Sequence, residues 1–248
     1  MSRTVDDAPR GTLRTLHNEF LMRPILLPLL IMSPFLASCA TTRGAADVAI
    51  KVPQDPPKRV VIVHGIFDTK ITMIPLRKSL EQAGFQCLIP SLDPADGRAG
   101  LEPMAQQLRD AIDREFGPEA PFSMVAFSMG GLVSRHYLQN LGGAARCQGF
   151  HSIATPHNGT YTAYLYPGRG TKQMRPDSNF LTALNENDAV FDHIPTTSYR
   201  TPFDAVIIPS RNSDWDKAEN IEIKSFLHPS LLWRKVLHAD LIRRLKEE

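Results

Sequence analysis

The stretch Met124-Val-Ala-Phe-Ser-Met-Gly-Gly-Leu-Val-Ser-Arg-His-Tyr-Leu138 decides the fold of this chain. It begins as an apolar run with the branched and aromatic side chains typical of a short buried strand. It ends with apolar side chains at helical spacing on one broad face. Ser128 lies between these patterns, with Ala126 two positions before it and Gly130 two positions after it. Small residues at both positions allow a sharp turn from strand to helix that exposes the serine hydroxyl.

The rest of the chain alternates strand and helix patterns around this turn. Strand patterns cover residues 58–65, 85–92, 122–127, 148–154, 194–200 and 220–227, and helical patterns cover 74–83, 101–116, 129–141, 179–184 and 231–245. Such alternation predicts a parallel sheet with helices on both faces, whose ligands bind at the carboxyl ends of the strands. We therefore expect an α/β fold with a mostly parallel sheet of about six strands.

Length, charge and composition exclude several classes of function. The chain has 248 residues and a net charge of +2, without a basic block, which argues against nucleic acid as a partner. No His or Cys cluster has the spacing of metal ligands, and the acidic residues are scattered. We expect a monomer without a metal or a cofactor.

The N-terminal region has the layout of an export signal. Residues 24–37 are almost wholly apolar and follow Arg23, and the run is too short for a membrane-spanning helix, which needs about 20 residues. The segment Leu36-Ala-Ser-Cys39 resembles the lipobox of bacterial lipoproteins. That resemblance implies cleavage before Cys39 and acylation of its thiol and its new amino group. The alternative is a plain secretion signal in which Cys39 is incidental.

Three regions follow from this reading. Residues 1–38 are the predicted signal segment, 39–57 a tether rich in proline and small residues, and 58–248 the α/β domain. Translation starts at Met1 or at Met22. No aspartate follows Cys39, so we expect a protein anchored to the outer membrane and facing the periplasm.

Two further cysteines, Cys87 and Cys147, raise the question of a disulfide in an exported protein. Their predicted strands lie two places apart in the expected sheet. Since neighbouring strands are about 4.8 Å apart, the Cα separation is roughly twice what a disulfide allows. We expect both thiols to be free.

A serine hydroxyl needs a base to take its proton, and that base needs a third group to orient it. In chains with this strand–serine–helix turn, the acid and then the histidine follow the serine in sequence. His228 follows the last predicted strand and is therefore placed as the base. His136 lies on the helix after Ser128, His151 lies inside a strand, and His238 lies on the C-terminal helix, where packing explains it.

The acid is chosen by the same criterion of position. Asp204 follows the strand that precedes the last one, at the edge where Ser128 lies. Asp214 and Asp216 lie further along a polar loop. We therefore predict Ser128, Asp204 and His228 as the catalytic residues.

Several sequence elements together resemble the small, lidless bacterial lipases and esterases of the α/β-hydrolase superfamily. The elements are His64-Gly-Ile66, Ala126-x-Ser-Met-Gly130, Asp204 with Val206-Ile207, Asn220-Ile-Glu-Ile223 and His228-x-x-Leu-Leu232. The resemblance implies an α/β-hydrolase fold and hydrolysis of carboxylic esters of lipids through an acyl-enzyme. It also implies that the backbone N–H groups of Ile66 and Met129 form the oxyanion hole. We expect His64 to be a buried structural residue that shapes its loop.

One segment departs from that family. Thr155-Pro-His-Asn-Gly159 and the loop after it look more like the larger triacylglycerol lipases, which leaves the substrate open. The core of the loop, Gly168–Lys172, is polar, so we expect an open site without a lid. Alternatives with the same triad are an acyltransferase and a phospholipid deacylase. A non-catalytic lipid-binding lipoprotein is the alternative of a different kind.

Overall fold

The computed structural model describes residues 57–68 and 70–248. The predicted signal segment, Cys39 and all of the predicted tether except Pro57 lie outside these residues.

The described residues form one six-stranded sheet. Its strands are β1 (Arg59–Val63), β2 (Gln86–Leu88), β3 (Phe122–Phe127), β4 (Cys147–Ile153), β5 (Thr196–Arg200) and β6 (Glu219–Glu222). They lie in the order β2-β1-β3-β4-β5-β6, and all the neighbouring pairs are parallel. The predicted parallel sheet is confirmed, and its carboxyl ends share one edge.

Helices connect these strands. They are α1 (Ile74–Gln82), α2 (Leu101–Phe116), α3 (Met129–Asn140), α4 (Arg169–Gln173), α5 (Asn179–Glu186) and α6 (Lys235–Glu247). Short 3₁₀ turns cover Gly143–Arg146, Tyr161–Tyr164, Ala189–His193, Ser210–Ser213 and His228–Trp233. Within the described ranges, no helix has the length and apolarity needed to cross a membrane.

Alternate residues of the central strands pack against helices on opposite faces of the sheet. Val60 and Ile62 of β1 lie in an apolar cluster with α1 and α6, whereas Val61 and Val63 lie in a second cluster with α2 and α3. All four side chains are essentially buried. Because both faces are covered, β1 is continuously apolar from Val60 to Val63, as is typical of parallel sheets.

Both edge strands are shorter than the sequence patterns predict. Strand β2 ends at Leu88, two residues before Pro90, which lacks the N–H group that a ladder needs. Strand β6 ends at Glu222 because its partner β5 ends at Arg200. Beyond that point the Thr201 hydroxyl replaces the ladder, accepting from the Ser225 N–H at 3.1 Å and donating to the Ser225 carbonyl at 2.5 Å.

Two other predicted elements differ in detail. The helical pattern predicted at 231–245 is divided between the 3₁₀ turn at His228–Trp233 and the helix α6. Leu231 and Leu232 lie in the 3₁₀ turn and are buried there, so they contribute to the apolar pattern without belonging to α6. The predicted loop after Thr160 contains a 3₁₀ turn and α4.

The two cysteines in the described residues are free. Cys87 on β2 and Cys147 on β4 are three strands apart in the sheet, one more than the sequence predicts. Burial raises the pKa of both thiols to about 12, so they stay protonated at neutral pH.

Helix α3 passes very close to β1, and Gly130 is the point of contact. A Cβ atom on Gly130 would lie well inside the contact distance of the His64 carbonyl oxygen and 2.9 Å from the Val63 carbonyl oxygen. Both neighbours are backbone atoms of a central strand and its end, so they cannot move aside. The glycine two positions after Ser128 is therefore required by packing.

Gly130→Ala should lower the free energy of unfolding by about 3 kcal/mol or more, because the added methyl group forces α3 away from β1. Gly142→Ala is the matched control, since no atom lies within 4 Å of its added Cβ and its φ is +82°. The control should cost about 1 kcal/mol for the left-handed backbone alone. Urea unfolding of both variants measures the difference, and equal losses would contradict the packing argument.

Candidate active site

Ser128 occupies the turn between β3 and α3 in a strained backbone conformation. Its φ is +53° and its ψ is −127°, a backbone conformation that residues other than glycine rarely adopt. Its N–H donates to the Ile153 carbonyl at 2.8 Å, and its carbonyl accepts from the Gly131 N–H and the Thr155 hydroxyl, both at 3.0 Å. These bonds from β4 and α3 hold the serine in the conformation that its turn requires.

Asp204 and His228 form a buried pair near this turn. The His228 Nδ1–H donates to the Asp204 Oδ2 at 2.8 Å. The Asp204 Oδ1 accepts from the N–H groups of Val206 and Ile207, both at 2.8 Å, so both carboxylate oxygens are occupied. The ring of His228 rests on Phe127, with a centroid separation of 4.7 Å.

The second ring nitrogen of His228, unlike Nδ1, is not hydrogen-bonded within the described part of the chain. Nε2 is buried and has no hydrogen-bond partner among the residues that the structure describes. His228 and Ser128 line the same cleft. A neutral imidazole whose Nδ1–H is bound to a carboxylate presents Nε2 as a proton acceptor.

The loop after β1 lies directly beside the serine. A Cβ atom on Gly65 would lie 3.0 Å from the Ser128 Cβ. The next residue, Ile66, lines the cleft, and Met129 is the first residue of α3, where the helix dipole favours negative charge. Ile66 thus follows the glycine that contacts Ser128, and Met129 follows Ser128 in the chain.

His64 shapes this loop and lies outside the cleft wall that Ser128 lines. Its Nε2 accepts from the Leu92 N–H at 3.2 Å, and its Nδ1–H donates to the Gly65 carbonyl at 3.0 Å. The side chain is buried. Both ring nitrogens are therefore engaged in holding backbone, as expected from the sequence.

The cleft beside Ser128 is apolar and has a volume of about 370 Å³. This volume is within the range of small-molecule sites. Its apolar lining consists of Ile66, Phe67, Phe127, Pro156, Ala163, Tyr166, Met174, Val206, Ile207 and Pro229. At the cleft, the rings of Phe67 and Tyr166 meet edge to face with centroids 4.8 Å apart. The cleft can therefore take an apolar group.

The segment between β4 and α5 is tied down along its length. The Thr160 N–H donates to the Met174 carbonyl at 2.8 Å, the Tyr161 N–H to the Ile208 carbonyl at 3.0 Å, and the Gly170 N–H to the Gly97 carbonyl at 3.0 Å. One bond within the segment and contacts with two other parts of the chain hold it as a wall of the cleft.

The other candidate histidines and acids have separate partners. His238 donates to the Leu232 carbonyl at 2.7 Å and contacts the Ser79 hydroxyl. Asp214 pairs with Arg200 at 2.8 Å. The structure therefore joins Asp204 to His228, whereas His238 and Asp214 contact other groups.

Sequence reasoning missed a buried cation behind the site. Arg135 of α3 is fully buried, and its guanidinium lies over the Trp215 ring at 4.1 Å. The other contacts of that ring include His157, stacked at 4.7 Å. Arg135 donates to the His157 Nδ1 at 3.4 Å, and the His157 Nε2–H donates to the Ser152 hydroxyl at 2.9 Å.

This network keeps His157 neutral. Burial lowers the pKa of His157 well below its usual value, and the charge of Arg135 lowers it further. His157 belongs to the Thr155–Gly159 segment, whose first residue bonds to the Ser128 carbonyl. The sequence signals this support only through His157 at the carboxyl edge of the sheet. The contact with Trp215 has no sequence signal, because Trp215 lies far along the chain.

Comparisons with known proteins agree with this fold. Residues 59–205 match the palmitoyl protein thioesterase family. Lysosomal thioesterase PPT2 of Mus musculus is 31% identical over 143 residues, which are 55% of this chain and 45% of that protein. The human PPT2 is 30% identical over 115 residues, 44% of this chain and 37% of that protein. The matches thus span less than half of the length of these relatives.

Solved structures show the same fold at low sequence identity. The mature lipase BlEst2 of Bacillus licheniformis has a TM-score of 0.64 and 15% identity, over 79% of this chain and 94% of that one. Lipase B of Aspergillus fumigatus has a TM-score of 0.65 and 16% identity, over 77% of this chain and 52% of that one. Both comparisons confirm the predicted α/β-hydrolase fold.

The family match covers more than half of the chain and includes β1, the turn at Ser128 and Asp204. The chain belongs to the palmitoyl protein thioesterase family of α/β-hydrolases.

Proposed function

We propose that this protein hydrolyses long-chain acyl thioesters through an acyl-serine intermediate. The observation that carries the proposal is the Asp204–His228 pair at the wall of the apolar cleft that Ser128 also lines. The family, whose members include lysosomal thioesterases, supports a thioester as the bond that is cleaved. The sequence elements had pointed to a carboxylic ester of a lipid.

Three side chains have defined roles in the first step. The Nε2 of His228 takes the proton of the Ser128 hydroxyl as its oxygen attacks the thioester carbonyl carbon. Asp204 orients the imidazole and stabilises its positive charge. Because two N–H groups already hold the other carboxylate oxygen, the acid needs no rearrangement.

The developing oxyanion is assigned to the backbone N–H groups of Ile66 and Met129. The contact of the neighbouring Gly65 with Ser128 and the position of Met129 at the N-terminus of α3 support this role. Loss of one such donor costs about 10²–10³ in turnover in hydrolases of this kind.

The tetrahedral intermediate then expels the sulfur group as His228 returns a proton to it. A thiol has a pKa of about 8.5, so sulfur leaves with little need for protonation. Water next attacks the acyl-serine as His228 takes its proton. His228 then returns this proton to the Ser128 oxygen as the bond to the acyl carbon breaks, which releases the fatty acid and restores the serine hydroxyl. Hydrolysis of an oxygen ester is the second candidate, favoured by the lipase-like elements, and it depends more strongly on proton donation by His228.

We also propose that the protein is exported and anchored to a membrane through acylated Cys39. The motivation is the lipobox-like Leu36–Cys39 after an apolar run. A single acyl chain gives only marginal binding, so firm anchoring requires the several chains of a mature lipoprotein.

The assignment of His228 as the base and Asp204 as the acid predicts which variants lose kcat and which keep it. His228→Ala and Asp204→Ala should each lower kcat by about 10⁴, because serine loses its oriented base. His238→Ala and Asp214→Ala are matched controls and should stay within a few-fold, since their contacts are elsewhere. Steady-state hydrolysis of a soluble acyl thioester measures this. A severe loss in folded His238→Ala enzyme would overturn the assignment.

The bond that is cleaved can be tested with matched substrates. For acyl chains of increasing length, each joined through sulfur or oxygen to the same leaving group, kcat/KM should be at least about tenfold higher for the thioester. The ratio of kcat/KM for the thioester to kcat/KM for the oxygen ester should increase further in a variant whose His228 donates a proton less readily to the leaving group. An oxygen ester that is faster at every chain length would refute the thioesterase proposal, and absence of fluorophosphonate labelling at Ser128 would leave the binding-protein alternative.

Cys39→Ala should abolish incorporation of labelled fatty acid and leave only membrane binding that a high-salt wash removes, because the residue to be acylated is gone. Cys87→Ala is the control, since this half-buried thiol on β2 should have no part in anchoring. Membrane fractionation is the measurement. A Cys39→Ala protein that still carries labelled fatty acid would contradict lipidation at this position.

A further inference from the structure

Exposed apolar side chains gather at one edge of the sheet. The large apolar residues that the described part of the chain leaves most exposed are Phe67, Ile71, Ile74, Tyr161, Tyr164, Leu165, Tyr166, Phe203, Val206, Ile208, Phe226, Leu227, Trp233 and Val236. Each of them follows the carboxyl end of β1, β4, β5 or β6, in a loop or in the first turn of the next helix. Phe67, Tyr166 and Val206 line the cleft of Ser128, and the others lie along the same edge of the sheet. Scattered apolar residues need no explanation, but a contiguous patch marks an interaction site.

The most prominent part of this edge is an aromatic ridge, defined by Phe203, Phe226, Leu227 and Trp233. The rings of Phe203 and Phe226 stack with centroids 5.6 Å apart, and Phe226 is 83% exposed. The four residues line a shallow groove of about 710 Å³. The ridge adjoins the catalytic pair directly, because Phe203 precedes Asp204 and Leu227 precedes His228.

Three cations, unpaired in the part of the chain that the structure describes, flank the aromatic ridge. Lys224 and Arg234 line the groove, and Lys235 follows. All three are exposed, and none forms an ion pair within the described residues. Residues 223–239 contain no Asp or Glu. By contrast, Arg243 and Arg244 further along α6 both pair with Asp240.

We propose that the aromatic ridge and its three cations dock this domain onto a lipid bilayer that contains anionic lipids, with the cleft opening towards the membrane. Tryptophan and phenylalanine settle at the headgroup level, and adjacent lysine and arginine side chains bind anionic headgroups. A bilayer fits better than an acidic protein because the apolar edge continues to the cleft that takes the acyl chain. The preference for a bilayer over an acidic protein rests on the proposed function. The exposure of the aromatic ridge and the charge of its cations are independent of that function.

Trp233 provides a direct probe of this contact. The chain has only two tryptophans, and Trp215 is 5% exposed whereas Trp233 is 57% exposed. The mature chain, which begins at residue 39 and here carries Cys39→Ala, is mixed with vesicles whose phospholipids have brominated acyl chains, so that neither the apolar signal segment nor an acyl anchor contributes. Tryptophan fluorescence should be quenched by vesicles of phosphatidylcholine with phosphatidylglycerol and much less by phosphatidylcholine alone. Trp233→Phe should remove the quenching.

A matched pair of triple variants tests the charge. Lys224→Gln/Arg234→Gln/Lys235→Gln should weaken partitioning into the anionic vesicles by about 100-fold, given the usual contribution of each cation at such a surface. Lys78→Gln/Arg114→Gln/Lys246→Gln removes the same charge from exposed positions within α1 and in the last turns of α2 and α6. The control should bind nearly as the parent does.

Several results would overturn the docking proposal. They are absence of quenching by the anionic vesicles, equal loss in the two triple variants, and burial of Trp233 in a dimer or against an acidic protein while vesicles remain unbound. The proposed function is tested separately, with a dissolved short-chain thioester. The Lys224/Arg234/Lys235 variant should hydrolyse it at the parent rate. A parent protein that docks but does not hydrolyse it would refute the function and leave the docking intact.

Discussion

The close packing of α3 against β1 at Gly130 is the constraint on which the rest of the site depends. Because α3 must return beside β1, the chain leaving β3 has to reverse within one residue, and Ser128 takes up the strain with a φ of +53°. The same approach brings the loop at Gly65 against the Ser128 side chain. The position of Ser128 at the wall of the cleft and the backbone loop beside it are thus two consequences of one packing contact.

The parallel sheet brings the remaining groups to the same place. Asp204 and His228 follow β5 and β6, whose carboxyl ends lie on the same edge as that of β3. The turn after Asp204 directs two N–H groups at its carboxylate, which fixes the oxygen that is not bound to His228. The pair is therefore oriented before any substrate arrives, and such preorganisation is the main source of electrostatic catalysis.

A buried charge supports this edge from behind. Arg135 has no carboxylate partner within ion-pair distance in the described residues, and burial lowers its pKa. Its charge is balanced by the Trp215 ring and by oxygen atoms of Leu184 and Asn185, each at 3.0 Å. Removal of one such partner leaves a buried charge unsatisfied, which is costly. The network therefore joins α3, α5 and the segment at His157 into one rigid support.

The sequence by itself determined the order of strands and helices, the turn at Ser128 and the positions of Asp204 and His228 after their strands. These features depend on apolar periodicity and on small residues at fixed offsets, both of which are local. Only the tertiary structure decided where β2 and β6 end, since a strand stops where its partner stops. It alone joined Arg135 to Trp215, and it alone brought the aromatic ridge beside the cleft. Contacts between residues distant in the chain depend on how the elements pack, and no local pattern encodes them.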